Sequence, residues 1–394
     1  MVSFSRKHVA KLARRGLLAG IFLVMGLPDV PAIFAQGAAP QASSPLILRS
    51  TTENLVRGFI PAGIAPALRI QSGQTVQIET FSHHGFVDDP VAFFKGYGIS
   101  AEMVLPDLIA ASKKLPRPKD GGTHVLTGPI YIEGAEPGDM LEVRILDLKP
   151  RVPYGGNGSG PGRGVVPDLL TEANQKIIQL DLNRNVALFS KEIEVPLQPF
   201  MGIMAIAPPS NLGKVSSTPP GVYGGNLDLK DLTKGATLFL PVFQPGAQFV
   251  TGDGHSGQGD GEVNGTAIET SLTGTFQFIL HKSKRLEVPR AETKSHYILM
   301  GLDKDLNEAM KKAARETVRF LMEDRGLTKA DAYSLASIGV DFKIAEAVDQ
   351  VLLVVGMIPK KIFKTNPEYW YKGVMTHSRT KASRANEQRK QKRG

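Results

Sequence analysis

The chain has 394 residues, with 47 Lys and Arg against 38 Asp and Glu, and it lacks cysteine altogether. The absence of thiols excludes disulfides, Cys-ligated zinc and any cysteine nucleophile, including that of nitrilase-type amidases. The formal charge of +9 sits in the ends: residues 1–28 hold five basic residues and no acid, residues 376–394 hold seven and one Glu, and the rest is near −2. A nucleic-acid-binding fold carries its positive footprint on the folded body, so that class is disfavoured.

In chain order, Arg6, Lys7, Lys11, Arg14 and Arg15 precede an apolar run from Leu17 to Leu27, then small residues at Ala35-Gln-Gly-Ala-Ala39. This order predicts a cleaved signal peptide over 1–39, too short in its apolar part to remain as a membrane span. Arg14-Arg15-Gly-Leu-Leu18 resembles a twin-arginine signal, so the mature protein is expected in the periplasm or secreted. Residues 40–60 lack periodicity and are expected to cross the surface before the first strand. One domain over 40–375 is expected, β-rich to about 300 and helical over 303–356, with a basic disordered tail over 376–394.

Thr75-Val-Gln-Ile-Glu-Thr80 and Leu141-Glu-Val-Arg-Ile-Leu146 alternate as strands do, and turn signals separate further short segments up to about residue 300. The fold class is therefore mainly β. His83-His84 follows the first of these strands; adjacent side chains point opposite ways, so one at most joins a given site, and His84 is taken as the accessory candidate. His124 precedes a strand and turn over Thr127–Asp139. The glycine-rich Gly155–Gly164 reads as a mobile loop, with no downstream helix to make it a phosphate cradle. Asn226 and Asp228 share one side if that segment is extended.

The richest stretch is Val250–Glu269, which packs Asp253, His255, Asp260, Glu262 and Glu269 among glycines 252, 254, 257, 259 and 261. Strand-like segments flank it at Ala236–Phe243 and Thr273–Leu280. In extended chain Asp253 and His255 share a face, and so do Asp260 and Glu262, so four ionisable groups can converge from two passes. Oxygen ligands, an imidazole and permissive backbone suit a divalent metal. Asp253, His255 and Asp260 are the expected ligands, with zinc the expected ion and calcium the alternative. Gly252-x-Gly254-x-x-Gly257 matches a dinucleotide pattern but opens no helix, and an EF-hand register from Asp253 places later ligands on glycines. Beyond it, Asp303 caps a helix to about Asp324, Gly326 ends it, and Thr328-x-x-Asp331 opens another to about Ile338. A third helix is expected over Phe342–Val355, with a strand as its competitor around Val351–Val355.

Tyr223-Gly-Gly-Asn-Leu-Asp-Leu-Lys-Asp-Leu232, Pro241-Val, Gly252-Asp-Gly-His and Gly259-Asp-Gly-Glu-Val together resemble the acetamidase/formamidase family. Thr127-Gly-Pro-Ile, Glu133–Asp139, Phe200-Met-Gly-Ile, Ala207-Pro-Pro and Tyr333-Ser-Leu with Asp341 extend the resemblance from about 65 to 365. Ser256-Gly257 replaces two alanines of the family pattern, and no His precedes Ile358-Pro359. The resemblance implies a β-sandwich-like fold with a small C-terminal helical segment, and hydrolysis of short linear amides to a carboxylate and ammonia. On that reading Glu262 is the general base, with Asp260 beside it, Asn226 donates to the oxyanion, and Asp228, Glu269, His84 and His124 are accessory. The expected partners are a small amide substrate and further copies of the chain, with neither nucleic acid nor membrane. The competing readings are a calcium-stabilised binding module without catalysis and a hydrolase of a larger amide or a lactone.

Overall fold

Alternation at Thr75–Glu79 becomes a strand with Val76 and Ile78 fully buried and Thr75, Gln77 and Glu79 half-buried. The computed structural model describes residues 44–365; the expected signal peptide and basic tail lie outside the described residues. Within them the protein is mainly β. A nine-stranded sheet runs in the order 46–48, 75–79, 272–281, 140–150, 237–241, 290–292, 296–303, 352–359 and 341–346. A six-stranded sheet orders 224–226, 200–205, 249–255, 125–132 and 55–57, with 68–70 also paired to 125–132. Val76, Ile78, Val143, Phe276 and Phe278 of the larger sheet pack with Leu126, Ile130, Ile203 and Phe249 of the smaller in one core. Each such fully buried side chain contributes about 1.5–3 kcal/mol, which makes this layer of a β-sandwich the main source of stability.

Four expectations need correction. Residues 40–60 are not a plain surface run, since Leu46–Leu48 pairs in parallel with 76–78 and Leu55–Arg57 pairs with 125–127. The glycine-rich stretch from 155 opens as a strand, Tyr154–Ser159, whose backbone groups pair with Asn174–Asp181 in a four-stranded sheet. Asp341–Glu346 and Leu352–Pro359 are strands, not a third helix. Leu353–Ile358 is buried throughout, because the core covers one face and a helix the other, and such a strand loses its alternation. The helical part is therefore 306–339 and not 303–356.

Two short helices, Pro90–Lys95 and Pro106–Ser112, interrupt the β-rich part, and two longer ones lie toward the C-terminus. Asp305, and not the expected Asp303, accepts from the backbone N–H of Asn307 and Glu308 to open Leu306–Arg325, and Gly326, at φ 65°, closes it. Thr328 accepts from Asp331 N–H to open Lys329–Gly339. None of the described helices is long and apolar enough to cross a membrane. The longer helix lies on strands 296–303 and 352–359, and Gly301 permits the approach: a Cβ there would fall on the backbone of Ala309 and Ala313. Backbone cannot swing aside as a side chain can. Gly301→Ala should lower the thermal unfolding midpoint, with a cost of about 1–3 kcal/mol; an unchanged midpoint would mean that the helix is not seated on this strand.

Candidate active site

The Phe249–His255 strand is buried along its whole length between 200–205 and 125–132. Asp253 departs from extended geometry, with φ 56°, and the ladder skips it: Gly252 pairs with Ile203 and Gly254 with Met201. A non-glycine residue in that region costs on the order of 1–3 kcal/mol and is kept only where surroundings enforce it. Here they turn the carboxylate over Gly202. A Cβ on Gly202 would strike Asp228 Oδ1, Asp253 Oδ2 and His255 Cε1, so three ionisable side chains close over a bare backbone position.

After His255 the chain loops out and returns antiparallel to it. Ser256 N–H donates to Ile268 O at 2.9 Å, and Thr270 N–H to Gly254 O at 2.7 Å. Glu269 also exchanges backbone hydrogen bonds with Gly156, both at 2.8 Å, which fixes it between two chain passes. Its Oε2 lies 3.2 Å from His255 Nε2, while Asp253 Oδ2 is 3.4 Å from the same nitrogen. His83 Nδ1 reaches Asp253 Oδ1 at 3.1 Å and stands 3.6 Å from Glu269 Oε2. His124 Nε2 stands 3.7 Å from Asp253 Oδ2, and its Nδ1 is 3.0 Å from the buried Ser217 Oγ.

The cluster divides electrostatically. Burial pushes the Asp253 carboxyl up, but His124 and His255 overcome that and hold it well below the usual range. Burial likewise opposes ionisation of Glu269, and His255 outweighs it, so this group is also lowered. The His255 imidazole is pushed down by burial, yet Glu269 and Asp253 raise it well above its ordinary value. On the other side burial, reinforced by the Glu262 charge, raises Asp228 well above normal. Burial raises Glu262 well above normal as well, against the opposing pull of His255. Asp253 and Glu269 are thus shifted toward the charged form, and Asp228 and Glu262 toward the protonated form, within one site.

The structure sorts the expected residues. Asp253, His255, Glu269 and His124 come together, and Asp228 and Glu262 stand on the far side of His255. Asp260 does not join them. Gly261 and Glu262 take left-handed φ of 92° and 46°, which ends the extended geometry and leaves Asp260 on the surface between Lys230 at 2.9 Å and Lys343 at 3.0 Å. His84 is turned away toward Gln175 Nε2, 3.0 Å from its Nδ1, so the member of the pair that enters is His83. Asn226 Nδ2 donates to Asp349 Oδ2 at 2.5 Å, and the atom left without a partner is its acceptor Oδ1, which does not suit an oxyanion. Asp349, Ser217 and Gln258 carried no signal of their own: Asp349 falls where a helix was expected, and the other two act only through histidines far away or three residues back.

This donor set suits a divalent cation. His255 Nε2 and Glu269 Oε2 are buried and 3.2 Å apart, yet neither is aligned for a hydrogen bond, as two ligands facing a common point would be. His83, His124 and Asp253 form one group of converging ligand atoms, and Asp253, His255 and Glu269 a second that shares Asp253. Three imidazoles among the donors favour a zinc-like ion over calcium, which takes oxygen.

Fold and centre together define a β protein with two main packed sheets and a buried carboxylate–imidazole cluster. The sequence model of the Acetamidase/Formamidase family matches residues 116–218 and 214–365, more than half of the chain, and the chain belongs to that family. It is 29% identical over 199 residues to an acetamidase of Mycolicibacterium smegmatis, covering 36% of this chain and 49% of that protein. It is 28% identical over 196 residues to a formamidase of Methylophilus methylotrophus, covering 36% of this chain and 47% of that protein. The chain thus spans about half the length of these curated relatives. The crystal structure of an acetamidase from Bacillus halodurans superposes with a TM-score of 0.67 at 27% identity, over 81% of this chain and 99% of that one.

The geometry separates two nearby glycines. A Cβ on Gly202 would enter the cluster, whereas one on Gly259 would meet nothing within 4 Å. Gly202→Ala should lower the thermal midpoint, costing about 1–3 kcal/mol, and Gly259→Ala should stay within about 0.5 kcal/mol of the parent. Equal midpoints for the two variants would contradict the packing described.

Proposed function

We propose that this protein is a metal-dependent hydrolase of the C–N bond of short linear amides, releasing ammonia and a carboxylate. The observation that carries the reading is the pair of buried, unaligned ligand atoms on His255 and Glu269 beside a charged Asp253. Membership of the family and the relatives' names support the amide as substrate. His83, His124, Asp253, His255 and Glu269 would hold the cation, which would supply Lewis-acid polarisation of a carbonyl and acidify water.

The chain's own groups then have distinct work. Hydrolysis joins a water oxygen to the carbonyl carbon, breaks the C–N bond and requires a proton on the departing nitrogen. Glu262 is suited to shuttle that proton, because burial raises its carboxyl above the ordinary range and so favours proton uptake. Asn226 Oδ1 is an unpartnered acceptor, which suits the N–H of a primary amide. Asp349 holds the other end of the Asn226 amide and so sets its orientation. Phe200 packs edge-on against His255, with ring centres 5.0 Å apart, and keeps water from that face.

Two measurements test this. Purified protein loaded with zinc should release ammonia from formamide or acetamide, lose that activity to a chelator and regain it with the ion. Release of ammonia by a rigorously metal-free preparation would sink the metal mechanism, and absence of release from short and larger amides alike would sink the amide reading. Glu262→Gln should cut turnover by about a hundredfold or more while retaining metal. Full turnover in that variant moves proton transfer to another residue.

A further inference from the structure

Gln258 makes two hydrogen bonds that together fix which way its amide points. Its Nε2 donates to the Asp228 carbonyl at 2.7 Å, and its Oε1 lies 3.0 Å from His255 Nδ1. A backbone carbonyl only accepts, so the amide nitrogen must face Asp228. The oxygen is thereby turned to the imidazole, and an oxygen there requires a proton on Nδ1. The competing acceptor, Asp228 Oδ1, stands 3.7 Å from Nδ1 and is beyond hydrogen-bond reach. Nε2 is then the ring atom left to face Glu269 Oε2 and Asp253 Oδ2, at 3.2 and 3.4 Å. Asp228 itself holds a left-handed backbone, φ 40°, and its N–H is bound to Gly202 O, so the carbonyl at the start of this relay is anchored.

We propose that Gln258 is a positioning residue for His255: it fixes the ring plane and the tautomer, so that Nε2 is the ligand atom turned to the point on which Glu269 and Asp253 also converge. The inference rests on the reading of this centre as a cation site. Outer groups of this kind raise metal affinity by about 10–100-fold. Gln258 thus links the Asp228 turn to the ligand strand through one amide.

Two substitutions separate positioning from mere anchoring of the loop. Gln258→Met and Gln258→Glu both remove the donor to the Asp228 carbonyl, but only Gln258→Met removes the acceptor at Nδ1. Zinc dissociation constants, measured by competition with a chelator, should weaken about 10–100-fold in Gln258→Met and stay near the parent value in Gln258→Glu. Thermal melts of the metal-free variants give the folding baseline, and loop anchoring alone would lower both variants together. The ring ¹⁵N resonances of His255, recorded at a pH high enough to leave the ring neutral, should show the proton on Nδ1 in the parent and in Gln258→Glu, and mixed tautomers in Gln258→Met. If the parent takes up no zinc, the cation reading fails by itself and the ring resonances still decide the role of Gln258. A proton on Nε2 in the parent, or equal zinc affinity in the two variants, overturns the proposal.

Discussion

Carboxyl groups that cannot all be charged at once are buried together in this protein, and everything near them is arranged around that conflict. Removing an ion from water costs several kcal/mol even after relaxation, so Asp253 and Glu269 remain charged only because imidazoles face them. Asp228 and Glu262, lacking equal compensation, are pushed toward their protonated forms. An apolar lining would remove the conflict and the chemistry with it. The left-handed backbone at Asp253 belongs to the same compromise, because an extended residue there would keep the ladder and lose the convergence over Gly202.

The sandwich makes such a cluster tolerable. The strand that carries Asp253 and His255 lies inside the smaller sheet, so its backbone is held from both sides and cannot yield to repulsion among its side chains. The chain pass bearing Glu269 is tied to Gly254 and Ser256 on one flank and to Gly156 on the other. The cluster therefore draws on two sheets at once. The helices contribute indirectly, by covering the outer face of the strand pair that leads to Glu346 and Asp349.

Legibility in the sequence followed the range of the interactions. Gly252-Asp-Gly-His was readable because strand alternation is local and places Asp253 and His255 on one face. Glu269 and His124 could be named as candidates, but nothing local says that Glu269 is pinned by Gly156, more than a hundred residues earlier. Asp260 shared the alternation of its neighbours yet went to solvent, since Lys230 and Lys343 offer it partners and positive φ at the next two residues breaks the strand. The choice between His83 and His84 rests on a single backbone parity at the end of a strand. The apolar run at Leu352–Pro359 carried no period, so only its pairing with 296–303 and 341–346 could make it a strand. The helix start at Thr328, by contrast, is decided by side chains within three residues and was legible, while the cap of the longer helix fell two residues past the expected Asp303.

The strand Asp341–Glu346 reaches the centre in a way that bears on when the centre can exist at all. Lys343 joins Asp231 and Asp260, the Ala345 carbonyl accepts from Gly261 N–H, and Asp349 takes the amide of Asn226. During synthesis these residues leave the ribosome some 260 positions after His83. The turn carrying Glu262 and the Asn226 side chain must therefore wait, loosely held, until nearly the whole domain has been made. Enclosure of the acids is thus completed by the part of the domain that is synthesised last.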